Sequence, residues 1–183
     1  MLRQPEGETW TYEDYLGLPE DGNRYEIISG ELHVTPAPRP RHQKVSGRIF
    51  HALFPLELSG RGEVFLAPVE VRMPGCDPVQ PDLCFVSTSG AAVVQEKCIQ
   101  GSPHLIVEVL SPRTAARDRT VKLNIYARAG VENYWLADPT EKTLVLFVLD
   151  SGTYRVEAAL GPGDTYRPVA FPEIELDMAF LFP

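Results

Sequence analysis

Apolar positions fall along this chain with two spacings, and each spacing predicts an element. Val45, Ile49 and Leu53 recur every four residues, the buried stripe of a helix over about 42–53. Leu105-Ile106-Val107 and Val109-Leu110 form a nearly continuous apolar run between Pro103 and Ser111-Pro112, which reads as a strand over 104–110 in a sheet covered on both faces. Leu83-Cys84-Phe85-Val86 follows Pro81-Asp82 and predicts a strand over 82–86, because proline can begin a strand but not sit in its middle. Further strands are expected at 63–66, 69–73, 131–137, 144–149 and 154–158. Residues 25–29 and 31–35 form a hairpin about Ser29-Gly30. Thr11 and Asp14 make a capping-box pattern, so a short helix covers 12–16. A helix through 121–129 ends at Gly130, a suitable C-cap. Residues 19–23, 74–78 and Asp138-Pro139 read as turns, and 36–40 as a stiff proline-rich connector. The stretch 87–102 reads as a loop holding at most a short helix, and 164–183 as mostly irregular.

Strands and helices therefore alternate irregularly, which predicts an α/β or α+β fold: a central mixed sheet flanked by helices, with an N-terminal β-hairpin extension. No repeat or domain boundary interrupts the 183 residues. One domain is expected over 1–183, with its core at about 42–138, the hairpin extension at 12–35, and C-terminal strands and tail at 144–183. No run approaches the roughly 20 apolar residues of a membrane helix. Residues 1–9 lack the apolar stretch of a signal peptide, so the expected location is cytoplasmic, with no membrane partner. Cys76, Cys84 and Cys98 form no C-x-x-C pair, which leaves zinc unsupported and suits reduced thiols.

Glu108 does not belong in its apolar run. A carboxylate in a doubly covered strand is costly unless it is paired, protonated or bound to a metal. Asp82 opens the neighbouring apolar strand, so two acids mark a site on a rigid sheet. Lys122 lies on the helix that follows the Glu108 strand, and such a helix packs back over the sheet, towards the strand end where the two acids meet. Tyr126 shares its face at i+4. Two hard carboxylates suit Mg²⁺ or Mn²⁺, and an ammonium beside them can orient a nucleophile or stabilise developing negative charge. This is phosphodiester hydrolysis chemistry.

Pro81-Asp82, Glu108-Val109-Leu110-Ser111-Pro112 and Lys122 resemble the PD-(D/E)XK nuclease pattern. With Tyr25 to Leu32, Lys122 to Tyr126 and Tyr134 to Pro139 added, the chain more closely resembles the bacterial Uma-type family of putative restriction endonucleases, over about 12–150. The resemblance implies a restriction-endonuclease-like core: a helix at 42–53, a strand pair over 63–73, strands at 82 and 104, a helix and a strand at 132. It also implies metal ligation by Asp82 and Glu108, helped by the Val109 backbone carbonyl, with Lys122 assisting the attacking water. One departure stands out. The superfamily pattern puts lysine two residues after the glutamate, where this chain has Leu110, so the resemblance implies that the lysine has migrated to Lys122.

Other residues carry two readings each. Glu26 lies among core-like residues and is placed near the site by the resemblance, or else faces water from an edge strand. His42 opens the first long helix and either contacts phosphate or water at the site or is structural. Glu70, in an alternating stretch, is expected to face solvent. Ser111 is expected to cap the next helix, and Tyr134 and Trp135 to sit in the core. A net charge of −8 argues against a nucleic-acid partner, yet Arg39, Arg41, His42, Lys44 and Arg48 cluster, as do Arg113, Arg117, Arg119 and Lys122. These are either solvated faces or a basic rim around an acidic metal centre. Two functions from different classes follow. The first is a Mg²⁺-dependent endonuclease-like phosphodiesterase on DNA, working as a homodimer or higher oligomer. The second is a nucleic-acid- or protein-binding module that keeps the fold without turnover; hydrolysis of a smaller phosphodiester would share the site but not the rim.

Overall fold

The apolar run around Glu108 becomes β8 (Leu105–Val109), and the run after Asp82 becomes β5 (Leu83–Ser87). The two pair antiparallel, Leu83 opposite Val107, inside a six-stranded sheet. This computed structural model describes residues 9–183 apart from 20, 22 and 36. The sheet order is β11 (Thr153–Leu160), β10 (Thr143–Asp150), β9 (Asn133–Asp138), β8, β5, β3 (Gly62–Leu66). Every neighbouring pair is antiparallel except β8 and β9.

A parallel pair needs a crossover, and here it is helical: α4 (Ala115–Arg117), a π-helical turn (Asp118–Lys122) and α5 (Leu123–Ala129). The helix thus begins earlier than the apolar pattern over 121–129 suggested. Ser111 does not cap α4, whose N-cap is Thr114; its Oγ accepts from the Thr114 N–H at 3.3 Å in the turn that leads into the helix. Gly130 ends α5 in the left-handed region (φ 80°), as a C-cap should.

Side chains alternate across β8 and build two cores. Leu105, Val107 and Val109 join α2 (Pro40–Leu53), through Val45, Ile49 and Leu53, and the C-terminal segment on one face. Ile106 and Leu110 join Tyr126, Tyr134 and Leu136 on the other. Glu108 has the parity of Ile106 and Leu110, so it points to the face crossed by α5. Trp135 and Tyr134 are buried, as expected.

Three expectations about elements are corrected. Residues 63–73 do not form a strand pair: β3 lies in the main sheet, whereas β4 (Val71–Arg72) joins a small sheet with β7 (Ile99–Gln100) and β6 (Val93–Val94). Ala67 still donates to the Asp82 carbonyl at 2.9 Å, but Pro68 has no N–H with which to continue the ladder, and the chain turns away. Residues 87–102 therefore hold two short strands rather than a helix. The segment 164–183 is also not mere tail. It forms β12 (Thr165–Tyr166), β13 (Leu176–Asp177) and α6 (Met178–Leu181), and it buries Phe171, Ile174, Leu176, Met178, Leu181 and Phe182. Those apolar residues are irregularly spaced among prolines, so no period announces them.

The N-terminal elements form as the pattern predicts: α1 (Tyr12–Leu16), capped by Thr11 with Asp14 returning the bond, and the hairpin β1 (Arg24–Ile28) with β2 (Glu31–Thr35). A four-residue helix, α3 (Pro55–Leu58), follows α2. Glu70 is half-buried rather than solvent-facing, because Arg72 and the Tyr12 hydroxyl bond to it. Among the described residues, no helix is long and apolar enough to cross a membrane.

Candidate active site

Asp82 stands one step beyond the Leu83–Val107 pair, so the antiparallel register sets it beside Glu108 with both side chains on one face. Both are buried, at 4% and 1% exposure. Each is held by a different set of partners.

Glu108 Oε1 accepts from Lys122 Nζ at 2.8 Å and from the Tyr126 hydroxyl at 2.7 Å. The crossover helix thus delivers both residues of the i, i+4 pair to the strand acid. Lys122 is fully buried and also donates to Glu26 Oε1 at 2.9 Å. Glu26 comes from β1 and is buried rather than facing water. Its Oε1 accepts from the Gln80 backbone N–H at 3.1 Å, and its Oε2 from Arg117 Nη2 at 3.4 Å. Asp118, on the π-helical turn, lies 3.9 Å from Lys122 Nζ, and its buried Oδ1 has no hydrogen-bond partner.

Asp82 is satisfied from three directions. Arg24 Nη1 donates to Oδ1 at 2.6 Å; the Val109 N–H donates to Oδ2 at 2.8 Å; and His42 Nε2 lies 3.1 Å from Oδ2. His42 therefore belongs to the cluster, and so does Val109, through its N–H.

The electrostatics follow from this geometry. Burial pushes the Asp82 carboxyl up, but the His42 hydrogen bond, the Arg24 charge and the Val109 N–H outweigh it and hold the group well below the usual carboxylate range. Burial also pushes Glu108 up. Lys122 opposes the rise, Asp82, Asp118 and Glu26 add to it, and the net result is about 7. Glu26 is held below its ordinary value, because the Lys122 and Arg24 charges overcome its burial. Lys122 is lowered by burial but held above its ordinary value by Glu108 and Glu26, so it stays charged.

A groove of about 730 Å³ opens over Asp82. Arg24, Arg39, Arg41, Arg113 and Arg117 line it, with His33 and His42, and Asp82 is its one acid among the described residues. Arg39, Arg41 and His42 of the first basic cluster, and Arg113 and Arg117 of the second, thus line the groove. Arg48 turns instead to Phe180, Arg119 pairs with Asp138 at 2.8 Å, and Lys122 lies buried. Among the described residues, no group of three His, Cys, Asp or Glu side chains is arranged to hold a metal ion.

Sequence reasoning missed Arg24 and Asp118. Asp118 could have been found from its i, i+4 spacing to Lys122. Arg24 merely precedes an apolar strand and carried no signal.

The fold is similar to that of a crystal structure of a putative nuclease belonging to DUF820 from Anabaena variabilis. The TM-score is 0.76 at 21% identity, over 94% of this chain and 97% of that one. The type IIG restriction endonuclease BpuSI aligns more loosely, with TM-score 0.41 and 18% identity over 67% of this chain and 14% of its own. The chain belongs to the Uma2 family, described as putative restriction endonuclease, which its residues 12–179 match. No curated protein matches it.

Proposed function

We propose that this protein is a divalent-metal-dependent, endonuclease-like phosphodiesterase that hydrolyses DNA. One observation carries the reading: Lys122, though far from Glu108 in sequence, brings its ammonium to within 2.8 Å of Glu108 beside Asp82, below an arginine-lined groove. That juxtaposition reproduces, from a helix, what a lysine two residues after the acid would supply from the strand.

The donor set fits a hard cation. Asp82 and Glu108 offer carboxylate oxygens on one face of adjacent strands, and both hydrogen bonds to Glu108 end on Oε1, so that Oε2 is the oxygen a cation would take. The Val109 carbonyl is the third ligand of this reading. A bound Mg²⁺ or Mn²⁺ would supply charge neutralisation at a phosphoryl oxygen and a lowered pKa for its water. Lys122, kept charged by Glu108 and Glu26, presents an ammonium to negative charge developing in the reaction. Glu26 and Arg117 hold Lys122 in position, and His42 orients Asp82. Arg39, Arg41 and Arg113 bind backbone phosphates along the groove. Cutting both strands would take two such sites, hence a homodimer or higher oligomer.

The binding-module reading is favoured by one observation: Arg24, His42 and the Val109 N–H already satisfy both oxygens of Asp82. Plasmid nicking with Mg²⁺ or Mn²⁺ separates the two. Cleavage by the wild type should fall at least about 100-fold in Asp82→Asn, Glu108→Gln and Lys122→Met, with the fold of each variant checked by circular dichroism. No cleavage despite metal binding points to a smaller phosphodiester. Neither cleavage nor metal binding leaves the binding module in front.

A further inference from the structure

Arg24 and Arg117 are the two cations of the cluster whose buried Nε has no hydrogen-bond partner among the described residues, and Arg24 is the one that touches Asp82. Asp82, Glu26, Glu108 and Asp118 are four buried carboxylates, and the permanent cations beside them are Arg24, Arg117 and Lys122. Lys122 is fully buried between Glu108 and Glu26. Arg24 reaches in from the hairpin, stays 16% exposed at the groove wall, and among the described residues is held by a single hydrogen bond, from Nη1 to Asp82 Oδ1. Its Nε is buried without a partner. A guanidinium has five donors in a fixed fork, and a buried N–H left unpaired is costly. This position therefore satisfies Arg24 poorly, although its charge is needed there.

The oxygen it covers matters. Asp82 Oδ2 is taken by the Val109 N–H and His42. Oδ1 is the oxygen covered by Arg24, which itself lines the groove. A divalent ion brought to Asp82 would make positive charge the excess in this cluster unless a resident cation moved. Arg24 can move by side-chain rotation alone, into a groove already lined by Arg39 and Arg41. There its fork matches a phosphate better than it matches one carboxylate oxygen.

We infer that Arg24 is a displaceable counter-ion: it competes with the divalent cation for Asp82 Oδ1, and once displaced it becomes a phosphate ligand on the groove wall. Metal binding and DNA binding are then coupled through one side chain. The inference rests on the metal-dependent reading above.

Calorimetric titration with Mn²⁺ tests it. Arg24→Met should bind Mn²⁺ at least about tenfold more tightly than the wild type, since the competitor is gone, while its affinity for a short DNA duplex in Ca²⁺ should fall severalfold. If the wild type binds Mn²⁺ and loses it in Asp82→Asn, but Arg24→Met binds no more tightly, the inference fails and the metal reading stands. If Arg24→Met binds metal more tightly with unchanged DNA affinity, the phosphate role fails. If wild type and Arg24→Met both bind no Mn²⁺, or Asp82→Asn retains it, both readings fail together. A second measurement uses the wild type and needs no folded Arg24→Met. With ¹⁵N-arginine labelling, Mg²⁺ should shift the Arg24 side-chain resonances, identified by their loss in Arg24→Lys. Unmoved resonances during Asp82-dependent Mg²⁺ binding would overturn the inference.

Discussion

Burial pushes the neighbouring carboxyls of Glu108 and Asp82 up alike, yet the two end on opposite sides of their ordinary values, and the difference lies in their partners. Lys122 and Tyr126 donate to Glu108 on one oxygen, but burial, with three like charges added to it, pushes its carboxyl up to about 7 from an ordinary 4.5. The folded chain thus takes up this proton before the unfolded chain does, so the Glu108 contribution to stability is lost as pH rises from about 4.5 to about 7. Asp82 is held below its ordinary 3.8, so its contribution is present above that value and lost as pH falls below it. In protein treated with a chelator, urea unfolding at stepped pH should show Glu108→Gln flattening the slope between about 4.5 and 7. Asp82→Asn should remove the acid limb instead. A slope in Glu108→Gln equal to the wild type's would assign it to other groups. Glu108 and Asp82 were legible in the sequence because a charge inside or opening an apolar run is a local contradiction. Lys122 was legible because the crossover must return over the sheet. Arg24 contradicts nothing locally, and only the docking of the hairpin reveals what it does.

At the scale of elements, the site depends on how closely β3, β5 and β8 approach. Gly62 opens β3, and a Cβ there would stand 2.1 Å from the Val86 carbonyl oxygen and 2.8 Å from the Phe85 ring. Neither can yield without parting β3 from β5, the strand that follows Asp82. Gly62→Ala should therefore cost several kcal/mol, on the order of 3 or more, as overpacking against backbone does. Gly130 offers a control. A Cβ there meets nothing within 4 Å, so Gly130→Ala bears only the left-handed φ of 80° and should cost about 1 kcal/mol. Thermal melts of the two variants should differ accordingly, and equal losses would put the strain elsewhere. The strands around the site were readable because apolar runs and prolines mark them. The strand expected at 69–73 contains β4, but the small sheet that it joins was not readable, since β6 and β7 have two residues each, too few to show a period. Nor was the C-terminal segment, whose Phe171 packs edge-on against Phe85 and Trp135 only through tertiary contact.

Across the whole molecule, a net charge of −8 and a groove lined by five arginines coexist. Composition alone weighs against DNA, because it averages over surfaces that the fold keeps apart. Arg39 and Arg41 start α2, whereas Arg113 follows β8, and the fold brings these distant stretches to the same groove over Asp82. An acidic body with one basic groove restricts where a polyanion can approach and so favours entry at the site. The consequence is quantitative. Each phosphate neutralised by a protein cation releases counterions and adds about −0.9 to the slope of log affinity against log salt. Arg39, Arg41 and Arg113 are exposed, and the described structure assigns them no ion pair, so they are available for this role. Replacing all three with glutamine should make the slope for duplex DNA shallower by nearly 3, measured in Ca²⁺ to suppress cleavage. Because phosphates carry no sequence information, the loss should be uniform across duplexes of different sequence. An unchanged slope would mean that DNA does not run along this groove, and a loss confined to particular sequences would mean that these arginines read bases instead.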